Sequence, residues 1–441
     1  MDQKFSSPLL AGYACADITP AIGDAWGIGK QVREIAVPLT ARVVYLEEPD
    51  GEGPVLLAMA DHTGFTRQSD RRMRNAIAQA LDLSPLRVRI NVTHNHTAPD
   101  ADQTVQELLA PFDLHHVSLP WLDRMEAALV DAALRARASR RPVTVHAGLA
   151  PVERLSSNRS VRRPDGTIAT RFGVASPELQ AAPEGLIDPD VGVLSLRGED
   201  GRPVVTLLNY ACHVTSLKGR GEVIHPDFPH YALEIVERET GGPGFFLQGA
   251  AGNVGPGKYA DGSVEGAQVL GARLAEGALA ALGRLTPCAP APLRLESWEE
   301  TVSLDPELPS PDEARAQLAE AARSDRGTET WRRAAMLQVV ADPEAARRPE
   351  LFLLRGGDWC LAGLPAESFA EFGLSIRAAS PTPFTLVGAY YDCTLWYIPT
   401  YKSFRDGGYE SRGGWRYVAP GAGEQITASV IRRLCAAPLH P

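Results

Sequence analysis

Short apolar, β-branched runs alternate along the chain with longer amphipathic stretches. The runs predict strands at 39–47, 54–61, 86–93, 143–149, 190–196, 203–210 and 244–248. Apolar positions at helical spacing predict helices at 67–82, 119–138, 227–239 and 264–283. Further on, 313–323 and 328–341 read as helices separated by a turn at Gly327. Trp331, Ala335 and Val339 share one face of the second, which predicts a peripheral packing helix. Strands near 350–355 and 358–363 join through Gly356-Gly357, a hairpin signal. A helix is expected from about Glu367, a strand at 383–390 and a last helix over 422–436. The proline-rich stretch 286–312 contains an alternating run at 293–298, which reads as a strand within the fold. The order is α/β, with mixed sheets flanked by helices and no internal repeat in the sequence. Candidate chemistry falls on both sides of residue 290, so 1–441 is expected to form a single domain.

Acidic residues outnumber basic ones, 54 against 44, which removes any global attraction to nucleic acid or anionic lipid. No apolar stretch reaches the roughly 18 residues of a spanning helix. The start is too polar for a signal peptide, so a cytoplasmic protein without a stable membrane anchor is expected. The six cysteines are scattered without CxxC spacing, which excludes a thiolate metal cluster and predicts reduced, mostly buried thiols. A homo-oligomer is compatible with this composition.

Three segments carry candidate chemistry. The strand at 86–93 runs into His94-Asn95-His96, and side chains two apart on a strand share a face. Such a pair suits a metal site or an acid/base pair, and equally two histidines bonded within a turn. A second buried-looking strand delivers His213 at its end; alone, such a histidine is more often a satisfied core residue, but the pattern repeats. The third segment, Gly249 to Gly257, holds four glycines that permit either an oxyanion-binding backbone or a tight turn. Asp227 is expected to cap a helix, with His225 and His230 read as loop or surface histidines, and His62 is the rival for a place in the site.

Taken in order, several short motifs resemble the neutral, non-lysosomal ceramidase family in its catalytic domain. They are Ala16-Asp17-Ile18-Thr19-Pro20, His94-Asn95-His96-Thr97-Ala98-Pro99, Asn158-Arg159-Ser160 and the strand ending at His213. Leu364-Pro365-Ala366-Glu367, Tyr397-Ile398-Pro399-Thr400-Tyr401 and Tyr409-Glu410 complete the series, so the resemblance spans residues 16 to about 410. It implies a ceramidase-like fold and a zinc ion (Zn2+) held by His94, His213, Glu367 and Tyr397. It further implies that His96 moves the proton of the attacking water, while Arg159 and Tyr409 hold the substrate carbonyl. Gly252-Asn253-Val254-Gly255-Pro256 is similar to the family's Gly-Asp-Val-Ser-Pro, which would set Asn253 and Gly255 against substrate with the serine lost. Thr97, Ala98 and Val161 also depart from the family pattern. Members of the family are larger, usually exported and carry an immunoglobulin-like domain. The departures of this chain from that pattern argue against membrane ceramide, and a small-molecule amide is the expected substrate. A zinc esterase and a non-catalytic zinc- or ligand-binding homologue are the alternatives.

Overall fold

A computed structural model describes residues 8–217, 222–324 and 327–436. Its central strands are apolar along most of their length because both sheet faces are covered. Along Thr40–Glu47, Val43 and Tyr45 enter one apolar core while Val44 and Leu46 enter another. Along Glu350–Arg355, Leu351 and Leu353 likewise part from Phe352 and Leu354.

Three sheets share one topology. In the first, Leu10–Asp17, Thr40–Glu47 and Val55–Ala60 pair antiparallel in that order, and Val88–Val92 joins parallel to the last. The helix Arg67–Leu81 connects the parallel pair, and Leu119–Ala138 then packs on the first two strands. The second sheet repeats this with Thr144–Pro151, Asp190–Arg197, Pro203–Tyr210 and the parallel strand Gly244–Gln248. Its helices are Phe228–Thr240 and Val264–Leu282. The third uses Arg294–Glu299, Glu350–Arg355, Trp359–Pro365 and the parallel strand Phe384–Tyr391, with helices Ala370–Ala379 and Ala422–Ala436. The three parallel edge strands pack against one another, so their carboxyl ends open towards a common region. The sequence shows no repeat because matching positions differ in side chain; the topology repeats three times.

Close helix-on-sheet packing depends on glycine at two matching positions. A Cβ on Gly12 would run into the carbonyl oxygen of Ala136, and one on Gly148 would lie 2.9 Å from that of Ala281. Neither obstacle can rotate away, because both are helix backbone.

The expected strands and helices are present. The pattern does not mark Leu10–Asp17, the helix Gln103–Leu109 or the short elements Ser160–Arg162, Ile168–Thr170 and Tyr401–Asp406. Glu367 does not start a helix: Glu367–Ser368 pairs in parallel with Tyr397–Ile398, and the helix begins at Ala370. His225 is no surface residue but 2% exposed, with Nδ1 accepting from the Asp227 amide at 2.8 Å and Nε2 lying 3.0 Å from the Tyr231 hydroxyl. Asp227 caps its helix as expected, accepting from Phe228 N at 2.6 Å. All six cysteines are free, three of them buried. No helix among the described residues is long and apolar enough to cross a membrane.

Gly12→Ala should destabilise the chain by about 1–3 kcal/mol through overpacking. Chemical denaturation checks this, and an unchanged midpoint would show that the helix moves away freely.

Candidate metal centre and cavity

The side chains of interest leave the carboxyl ends of strands in all three sheets. His94 follows Val88–Val92, His213 follows Pro203–Tyr210, Glu367 follows Trp359–Pro365 and Tyr397 follows Phe384–Tyr391. Strand periodicity does not align His94 with His96, since the strand stops at Val92 and His94 takes φ 60°. Beyond it Asn95 bridges to Val214, and His96 N donates to Val214 O at 3.2 Å, which ties the two histidine loops together. Left-handed backbone recurs at Ala366 (φ 53°) and Trp396 (φ 55°), immediately before Glu367 and Tyr397. Each such non-glycine residue costs about 1–3 kcal/mol unless its surroundings hold it.

Donor atoms of His94, His96 and His213 lie within 4.8 Å of one another and could hold a metal ion. His94 Nε2 is 3.1 Å from His96 Nε2 and 3.3 Å from Glu367 Oε2, while His213 Nε2 is 3.0 Å from the same oxygen. The far nitrogens are committed to the backbone: His94 Nδ1 faces Thr63 O at 2.6 Å and His213 Nδ1 faces Ala251 O at 2.7 Å. Each ring therefore gives its Nδ1–H to a carbonyl and turns a bare Nε2 lone pair towards the carboxylate.

Burial, the Arg159 guanidinium and His94 push His213 down to about 3. Burial opposes ionisation of Glu367, but His94 and His213 outweigh it and hold its carboxyl well below the ordinary value. Burial beside Arg159 keeps the His213 ring neutral. Lone pairs facing a carboxylate at such distances repel unless a cation lies among them, and two imidazoles with one carboxylate are donors that suit zinc. The residues fit the metal that the motif resemblance implies.

Tyr397 stacks on His213 with ring centroids 6.2 Å apart. The Arg159 guanidinium lies 5.2 Å from the Tyr397 ring centre and 5.8 Å from that of Tyr409. Its Nε and Nη2 donate to Glu410 Oε1 at 2.9 and 2.7 Å, in an ion pair almost wholly buried. Glu410 thus aims Arg159, a role its place beside Tyr409 in a motif did not disclose.

A cavity of ≈ 310 Å³ opens from this centre. Trp331 lines it, so Thr328–Ala341 is not merely the peripheral packing helix expected from its apolar face. Trp396 and Trp415 line it too and carried no signal in the sequence, where they read as ordinary aromatics in a glycine-rich stretch.

Two expected substrate contacts are placed differently. Asn253 does not line the cavity: its Nδ2 donates to Glu371 Oε2 at 2.8 Å and its Oδ1 accepts from Ala370 N at 3.0 Å, which fixes the start of the helix after Glu367. Gly255 backs the centre instead, where an added Cβ would meet Arg159 Cδ and His213 Cβ at an ordinary 3.5 Å. His62 is fully buried, stacks on Phe65 and does not line the cavity.

No family model and no curated protein matches the chain. Among solved structures it is similar to the neutral ceramidase from Pseudomonas aeruginosa, with TM-score 0.73 and 18% identity over 96% of this chain and 74% of that one. A ceramidase complexed with C2 matches with TM-score 0.72 and 17% identity, over 99% of this chain and 76% of that one. At such identity the likeness is one of fold: the chain has the mixed α/β fold of these ceramidases, as its motifs implied.

Burial lowers His62 to about 4, from roughly 6.5 in an unfolded chain. A depressed folded value makes its contribution complete above about pH 6.5 and progressively lost as pH falls to about 4. Over that window the protein should lose about 3 kcal/mol more stability than His62→Phe. Parallel stability–pH curves would show that His62 already carries a proton when folded.

Proposed function

We propose that the chain is a zinc-dependent hydrolase that cleaves an amide bond in a small N-acyl substrate, with residues 1–441 acting as one catalytic unit. The observation carrying this reading is the convergence of two imidazoles and a carboxylate at one end of a cavity. The ceramidase fold supports it, because the centre lies where the shared strand ends meet.

His94, His213, Glu367 and Tyr397 would hold the zinc. When bound, zinc makes a water acidic enough to ionise near neutral pH and polarises a carbonyl oxygen. His96, beside His94 and less buried than it, takes a proton from the attacking water and returns it to the leaving nitrogen. The C–N bond then breaks to give a carboxylate and an amine. Arg159, aimed by Glu410, stabilises negative charge on the carbonyl oxygen, and Tyr409 supports it across the cavity. Gly255 leaves no nucleophile on that side, so attack by water is the chemistry left to the centre.

His213→Ala should lose both the metal and turnover, measured by elemental analysis and by hydrolysis of a panel of chromogenic N-acyl amides and esters. Full zinc occupancy would remove His213 from the ligand set. His96→Ala should retain zinc and slow hydrolysis by roughly 10²–10⁴. Loss of zinc would instead make His96 a ligand, and esterolysis without amidolysis would reassign the reaction.

A further inference from the structure

Away from the metal centre the cavity wall is a continuous row of rings. Phe172 meets Tyr409 at 4.9 Å, Tyr409 meets Trp415 at 4.9 Å, Trp415 meets Trp396 at 5.5 Å and Trp396 meets Trp331 at 5.1 Å. The row ends on a fixed carboxylate. Asp100 Oδ2 accepts from Trp331 Nε1 at 3.1 Å and from His116 Nε2 at 2.8 Å. Its Oδ1 accepts from the amides of Ala101 and Asp102 at 2.7 and 3.2 Å.

Two features of this arrangement select a ligand. The first is charge. Burial opposes ionisation of Asp100, but the hydrogen bond from His116 and the Ala101 amide outweigh it and hold its carboxyl below the ordinary value. The Asp100 side chain is 21% exposed in the cavity wall, so this carboxylate faces the ligand space. Arg159, the only Lys or Arg among the described lining residues, is already paired with Glu410. An alkyl chain laid here would strip water from the carboxylate and return nothing. The second is saturation. An ionised carboxylate has about four lone-pair sites, and four N–H groups fill them. A ligand group beside Asp100 thus gains from its charge and from the rings that line the wall, without needing to donate hydrogen bonds.

Resting on the hydrolase reading above, we infer that the substrate carries a quaternary ammonium group, which the aromatic row and Asp100 hold while the amide reaches the metal centre. Aromatic faces bind such cations well, and they carry no N–H left unsatisfied.

The test uses the zinc-loaded full chain and two amides of equal shape, (2-acetamidoethyl)trimethylammonium and its neutral carbon isostere N-(3,3-dimethylbutyl)acetamide. Binding is read from tryptophan fluorescence and hydrolysis from acetate release. The cation should bind at least about tenfold more tightly, and Asp100→Asn should bring that ratio towards one. Equal or tighter binding of the isostere overturns the inference, as does an unchanged ratio in Asp100→Asn. Preferential binding of the cation with no hydrolysis of either amide upholds the inference and sinks the hydrolase reading. Equal binding with hydrolysis of both does the reverse.

Discussion

Glu367 Oε2 sits 3.0 and 3.3 Å from the Nε2 atoms of two imidazoles whose Nδ1 atoms are already committed to backbone carbonyls. The backbone carbonyls of Thr63 and Ala251 fix that polarity by taking the Nδ1–H of each ring. Strained backbone at His94, Ala366 and Trp396 is then intelligible, since each left-handed residue turns a donor, or the residue before one, inwards. A centre of three unprotonated acceptors is unfavourable on its own. It becomes favourable around a divalent cation, which links the local strain, the buried polar groups and the chemistry proposed for them.

Larger architecture serves the same end. Each of the three similar sheets ends in a parallel pair, and ligands gather at the carboxyl ends of such strands. His213 and Glu367 leave the middle strands of the second and third sheets. His62 leaves the matching strand of the first, so its claim on the site was reasonable. There the ring finds Phe65 and Trp121 and is buried as packing. Near-equivalent backbone positions thus have opposite fates, decided by what lies beside them.

Much of this was legible in the chain. Long apolar runs marked the sheets because strands buried on both faces lack alternation, and histidines at strand ends marked the loops. What stayed hidden depended on distant partners. Asn253 looked like a substrate contact until Glu371, more than a hundred residues away, was seen to occupy its amide. Trp331 looked like helix packing because periodicity reports that a face is apolar and never what covers it. The short strand at Glu367 was lost because two-residue pairing leaves no period to detect.

The links between the first and second strands of the sheets are where the three units differ most. In the second this link carries Arg159 and Phe172, and in the third it carries the helix with Trp331. The donors at the metal end come instead from loops after strand ends. Exchanging the third unit's link would therefore reshape the cavity wall at Trp331, while the histidine–carboxylate cluster keeps its own loops.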